Sequence, residues 1–121
     1  MIKTDSGNAI VISQNRIFTL YLYAYNGDQL LQLADGEKFV LGVKKRATDT
    51  NYVIKRDITS ERLSPARDKY VVSFSAAETN IPAGRYVYDV LYKNASGKFY
   101  KVVGLSPLVV EESVTKSGDV T

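Results

Sequence analysis

The sequence predicts an all-β fold, one antiparallel sandwich of about seven or eight strands, and three observations carry that reading. Apolar residues recur with period two and almost nowhere with the period of a helix. Clusters of Gly, Asn, Asp, Ser and Pro punctuate the chain at spacings of about eight to twelve residues. The length of 121 residues suits one domain, which buries roughly two thirds of its unfolded surface without disulfide or metal staples.

In order along the chain, residues 1–8 read as a flexible N-terminal segment, residues 9–115 as the single sandwich domain and residues 116–121 as a frayed tail. The first clear strand turns Phe18, Leu20, Leu22 and Ala24 to one side and Ile17, Thr19, Tyr21, Tyr23 and Tyr25 to the other. Asn26-Gly27-Asp28 ends it, and a short apolar piece, residues 30–33, leads to a second turn at Ala34-Asp35-Gly36. Phe39, Leu41 and Val43 then alternate with Lys38, Val40, Gly42 and Lys44, and "YVIKRDIT" supplies a hairpin partner. Pairing the two sets Phe39 against Ile58 and Val43 against Ile54, but Leu41 against Arg56, which calls for a bulge or a sheet edge. After the polar connection "SERLSPARDK", residues 70–75 form a strand, and "SAAETNIPAG" holds one helical turn capped by Ser75 before Pro82 and Gly84 end it. Residues 85–93 and 98–103 make a hairpin across Asn94-Ala95-Ser96-Gly97, and residues 108–111 are the last strand. The two apolar inner faces fit an immunoglobulin-like sandwich.

In such sandwiches a tyrosine near the start of one strand returns its hydroxyl to the backbone of the preceding loop. Tyr86, two residues after Gly84, stands where that corner residue belongs, so Pro82, Gly84, Tyr86 and Tyr88 are read as a structural corner. Tyrosine buries readily once its hydroxyl has a partner.

Composition narrows the function. The chain has no histidine and no cysteine, which removes the usual neutral-pH base, the Ser-His and Cys-His nucleophiles, thiolate metal sites and disulfides. Its acids show neither calcium-loop nor paired-carboxylate spacing, and no glycine loop for phosphate is present. We therefore expect no enzyme, no metal and no cofactor. The first residues contain one apolar run, residues 9–12, too short for a secretory signal, and no stretch approaches the ~20 apolar residues of a membrane span. Synthesis in the cytoplasm and no membrane partner are the expectation. The net charge of +3, from 16 basic and 13 acidic residues, is spread along the chain.

Two surfaces remain as candidate interfaces. If Phe18, Leu20 and Leu22 face the core, then Tyr21, Tyr23 and Tyr25 form an outward aromatic stripe suited to a protein partner or, alternatively, to a sugar. Cross-strand packing on a solvated sheet explains the stripe equally well. Lys44, Lys45 and Arg46 beside Lys55 and Arg56 collect charge at one hairpin with only Tyr52 nearby, which suits edge protection better than a nucleic-acid groove. No nucleic-acid partner is expected.

The segment "IPAGRYVYDVLYKNASGKFYKVVGLSPLVVEESVT", residues 81–115, resembles the small sandwich domain at the start of phage baseplate upper proteins and related tail components. The likeness lies in a Pro-x-Gly-x-Tyr-x-Tyr-Asp strand (Pro82, Gly84, Tyr86, Tyr88, Asp89), a turn at Gly97, a Val102-x-Gly104 strand end and a closing segment with Val110, Val114 and Thr115. "RIFTLYLYAYNGDQLLQLADGEKFVLGVKK" looks like the matching front half. The resemblance implies an immunoglobulin-like virion part, made in the host cytoplasm, that docks on other virion proteins in several copies within a symmetric assembly. The chain ends just past the matched region, without the stalk and receptor-binding parts of baseplate proteins, so a stand-alone role on tail, baseplate or capsid is expected.

Overall fold

The structure is a computed structural model that describes residues 2–4 and 9–112. Ten strands are formed among them: β1 (Ile2–Thr4), β2 (Ile10–Ser13), β3 (Phe18–Leu22), β4 (Ala24–Asn26), β5 (Gln29–Leu30), β6 (Lys38–Lys44), β7 (Ile54–Ile58), β8 (Tyr70–Phe74), β9 (Gly84–Lys93) and β10 (Phe99–Glu111). Among the described residues the only helix is a 3-10 turn, Ser60–Arg62. One layer is a five-stranded sheet in the order β2-β10-β9-β6-β7. Opposite it lie the β3-β8 pair and the small β1-β4-β5 sheet, and one contiguous apolar core joins the layers. The chain is an immunoglobulin-like β-sandwich: a hairpin-linked β9–β10 pair beside β6, with β3 and β8 facing them.

Alternation decides which face each strand buries. Phe39, Leu41 and Val43 of β6 are buried together with Tyr86, Tyr88, Val90 and Tyr92 of β9, while Val40, Lys44, Val87 and Asp89 look outward. Leu22 of β3 and Tyr70, Val72 and Phe74 of β8 answer from the other layer. Phe39 meets Tyr70 edge-on at 5.1 Å between ring centroids, joining the two layers at their middle. The Tyr70 hydroxyl donates to the Leu31 carbonyl at 2.7 Å and accepts from the Leu33 N–H at 3.0 Å, so the loop after β5 is pinned to the core.

The β6–β7 register places Phe39 against Ile58, Leu41 against Arg56 and Val43 against Ile54, and β7 is an edge strand. Arg56 uses that edge. Its guanidinium lies 4.6 Å from the Phe74 ring, donates to the Ser73 carbonyl at 3.0 Å and pairs with Glu78, so it closes the open side of the sandwich. An inward charge is tolerable there because its head reaches polar partners at the rim while its stem covers apolar surface.

Several expectations are corrected. Ile2–Thr4, read as part of a flexible segment, pairs antiparallel with β4; main-chain hydrogen bonds to an open strand carry that pairing, and no side-chain pattern announces them. The run from Phe18 to Asn26 is two strands, because at Tyr23 it leaves β8 and takes up β1 and β5. The hairpin and the last strand are one strand: β10 runs from Phe99 to Glu111 with register shifts between Lys101 and Val103 and between Val103 and Ser106. Bulges absorb extra residues without ending the ladder, so Gly104 and Pro107 interrupt the pattern but not the strand. The expected single helical turn capped by Ser75 is present at residues 75–79: the Thr79 N–H donates to the Ser75 carbonyl at 3.1 Å, the Ser75 N–H to the Glu78 carboxylate at 3.0 Å and the Glu78 N–H to the Ser75 hydroxyl at 3.2 Å. The expected N-terminal positions 5–8, the closing Val114 and Thr115 and the tail 116–121 lie outside the described residues.

Candidate functional site

The corner residues are internal. The Tyr86 hydroxyl donates to the Pro82 carbonyl at 2.5 Å, its ring is buried, and the Lys45 ammonium sits 4.5 Å from the ring centre. Gly84 has φ +144°, a conformation that L side chains rarely adopt, and it opens β9 so that Tyr86 points inward. Tyr88 is buried one pleat further on, bonded to Ser106, and burial raises its phenol above the ordinary value against that bond's opposing effect. Thr79, fully buried, braces the same corner: its hydroxyl donates to the Arg16 carbonyl at 2.6 Å and accepts from the Arg16 N–H at 2.9 Å. These groups hold the fold together through internal hydrogen bonds.

The candidate interface does not assemble as one surface. Tyr21 is 48% exposed on the outer side of β3, with the Lys69 ammonium 5.3 Å from its ring centre. Tyr23 falls between strands, and Tyr25 sits in the β1-β4-β5 sheet opposite Lys3 and Leu30; both are half-buried. Lys44, Lys45 and Arg46 belong to the other layer and diverge. Lys44 reaches over Tyr52, Lys45 over Tyr86, and Arg46 closes a loop through its N–H on the Asp49 carboxylate at 3.1 Å. Strand alternation alone could not show that the stripe changes sheets at Tyr23.

A different surface does assemble, on the outer face of the five-stranded sheet. Gly42 at the centre of β6 is its floor, with the Tyr52 ring so close that a Cβ on Gly42 would stand 2.6 Å from Cε1. Glycine is needed here for that approach, since its φ is ordinary. Tyr52, Leu105, Val87, Lys44 and Asp89 enclose a niche of about 130 Å³. Leu105 is 61% exposed because the second bulge of β10 pushes it out, and Tyr52 is 49% exposed. Burial raises the Asp89 carboxyl above the ordinary carboxylate range, and the nearby Lys101 and Lys44 charges only partly offset this. Around the niche, register places Val40 and Leu91 side by side with Lys101, and Lys93 beside Phe99. The signals for this face were the isolated Asp89 in an aromatic strand and Gly42 in an apolar one; the position of Leu105 depends on a bulge.

Chemically the face can bind but has little to react with. Among the described residues no group of three or more His, Cys, Asp or Glu side chains could hold a metal ion, and none of their helices is long and apolar enough to cross a membrane.

No family model and no curated protein matches the chain. Among solved structures it is similar to the fibronectin(III)-like modules of Clostridium thermocellum CbhA, at 11% identity and a TM-score of 0.48 over 95% of this chain and 99% of that one. It is also similar to murine CRIg, at 8% identity and a TM-score of 0.44 over 93% and 98% of the two chains.

Proposed function

We propose that this chain is a non-enzymatic structural component of a bacteriophage particle, present in several copies and acting by protein–protein docking in a symmetric assembly. The virion setting is supported by the likeness of residues 81–115 to the leading sandwich domain of baseplate upper proteins. The observation that carries docking is the outer face around Gly42, where Tyr52 and Leu105 stand exposed beside Val87. The carbohydrate alternative on Tyr21, Tyr23 and Tyr25 has less behind it: of the three only Tyr21 is exposed, while Tyr23 falls half-buried between strands and Tyr25 lies half-buried in the β1-β4-β5 sheet. Mass spectrometry of purified phage particles tests the proposal. The protein is expected in the particle at a stoichiometry set by its symmetry; its absence there overturns the reading.

A further inference from the structure

The solvated face of a sandwich sheet is ordinarily polar. The β3–β8 face follows that rule at Thr19 and Ser73, whose hydroxyls lie 3.4 Å apart. The five-stranded sheet departs from it in two ways that coincide in space. Its outer side carries an apolar centre of Val40, Val87, Leu91, Leu105 and the Tyr52 ring. Around that centre stand Lys38, Lys44, Lys55, Arg85, Lys93 and Lys101, against the carboxylates of Asp57, Asp89 and, at the far end of β10, Glu111. Six cations facing three carboxylates gather on this one face a positive excess as large as the +3 of the whole chain. Lys38 is paired with Asp57 at 2.9 Å, and among the described residues none of the other five cations makes an ion pair.

The chemistry of an occupant follows. An apolar centre with a cationic rim is complementary to a protein segment that presents apolar side chains flanked by carboxylates. The Asp89 carboxylate in the niche calls for a hydrogen-bond donor, which a main-chain N–H or a hydroxyl supplies. A nucleic acid fits less well. The ring of Tyr52 is attended by Lys44 at 4.6 Å and Lys55 at 5.5 Å, and aliphatic side chains occupy the centre where bases would need a stacking platform.

We infer that the outer face of the five-stranded sheet, centred on Gly42, Tyr52, Asp89 and Leu105, docks an acidic, apolar-faced segment of another protein. The inference rests on the docking reading above and names its surface and the charge of its partner.

The probe is a short synthetic peptide in which Glu alternates with Leu and Tyr, titrated into the isotope-labelled full chain and followed by amide NMR. Saturable shifts centred on Gly42, Asp89 and Leu105 are expected, with affinity falling as salt rises. Lys44→Glu with Lys101→Glu should weaken binding about tenfold or more, because attraction becomes repulsion at outward positions. Gly42→Ala, which moves an exposed ring and not the backbone, should also weaken binding while leaving the unfolding midpoint nearly unchanged. Absence of saturable shifts, shifts confined to the Tyr21 face, or unchanged affinity in the double variant overturns the inference. So does a single-stranded oligonucleotide that binds the same face more tightly than the peptide. The two readings fail separately: a chain missing from virions that still binds the peptide sinks only the virion role, whereas a virion protein indifferent to the peptide sinks only this face.

Discussion

Replacing Tyr86 with phenylalanine removes a single oxygen from the corner and leaves the rest in place. The ring stays 4% exposed in its pocket and keeps the Lys45 ammonium 4.5 Å from its centre, so only the 2.5 Å hydrogen bond to the Pro82 carbonyl is lost. A neutral hydrogen bond contributes about 0.5–1.5 kcal/mol net. Pro82 is exposed, so its carbonyl regains water when the phenol is gone, and the loss falls in the middle of that range, about 1 kcal/mol. With a urea slope of about 1.5 kcal/mol per molar, the unfolding midpoint should drop by about 0.7 M at unchanged slope. Thermal unfolding should shift down by about 4 °C. A Tyr86→Phe variant within about 0.2 M of the wild type would refute the idea that the hydroxyl holds this corner. A loss above about 3 kcal/mol would refute it differently, by showing that the ring had moved as well.

Three further outcomes follow from the same structure. Gly84→Val forces a β-branched residue to φ +144° beside the Lys45 ammonium, and should cost about 1–3 kcal/mol in urea unfolding. Tyr92, its phenol raised to about 12 by burial first and then by its hydrogen bond to Glu37, holds its proton more tightly folded than unfolded. That contribution is fully present below pH 10, the ordinary tyrosine value, and is lost as pH climbs through about 12, so Tyr92→Phe should flatten the alkaline limb of stability measured against pH. Asp89 works in the same sense at acid pH: burial raises its carboxyl, so ionisation destabilises the fold as pH rises through that value, and Asp89→Asn should be more stable than the wild type at neutral pH by urea unfolding.

How much of this was legible in the sequence depends on which forces were local. The β6–β7 register could be read residue by residue, because a one-residue slip would have turned Phe39, Leu41 and Val43 to water. The position of the corner was legible too, since Pro82, Gly84 and Tyr86 act within a few residues of one another. What escaped depends on long-range partners. Nothing near Thr79 signals that its hydroxyl serves the main chain of Arg16, separated from it by 63 positions. The pairing of Ile2–Thr4 with β4 and the change of sheet at Tyr23 are likewise main-chain events between distant segments. The tyrosine stripe misled because alternation fixes the side of a strand and not the sheet to which the strand belongs. The outer-face niche was hidden because Leu105 reaches it through a bulge that shifts register without changing composition.

Inside the sandwich, local preference and packing agree: apolar alternation fills the core, and among the described residues no buried side-chain nitrogen or oxygen lacks a hydrogen-bond partner. The departures gather elsewhere. A glycine in the middle of a central strand, a carboxylate raised by burial, an exposed leucine lifted by a bulge and an exposed tyrosine ring laid across the glycine all meet around one niche. Each weakens a free-standing domain, since central-strand glycine lacks a packing side chain and a desolvated carboxylate resists ionisation. Sandwich stability alone would favour Asn at position 89. Their coincidence on the cation-rimmed face is what a binding surface requires: a shallow floor, exposed apolar walls and a carboxylate acceptor set among them.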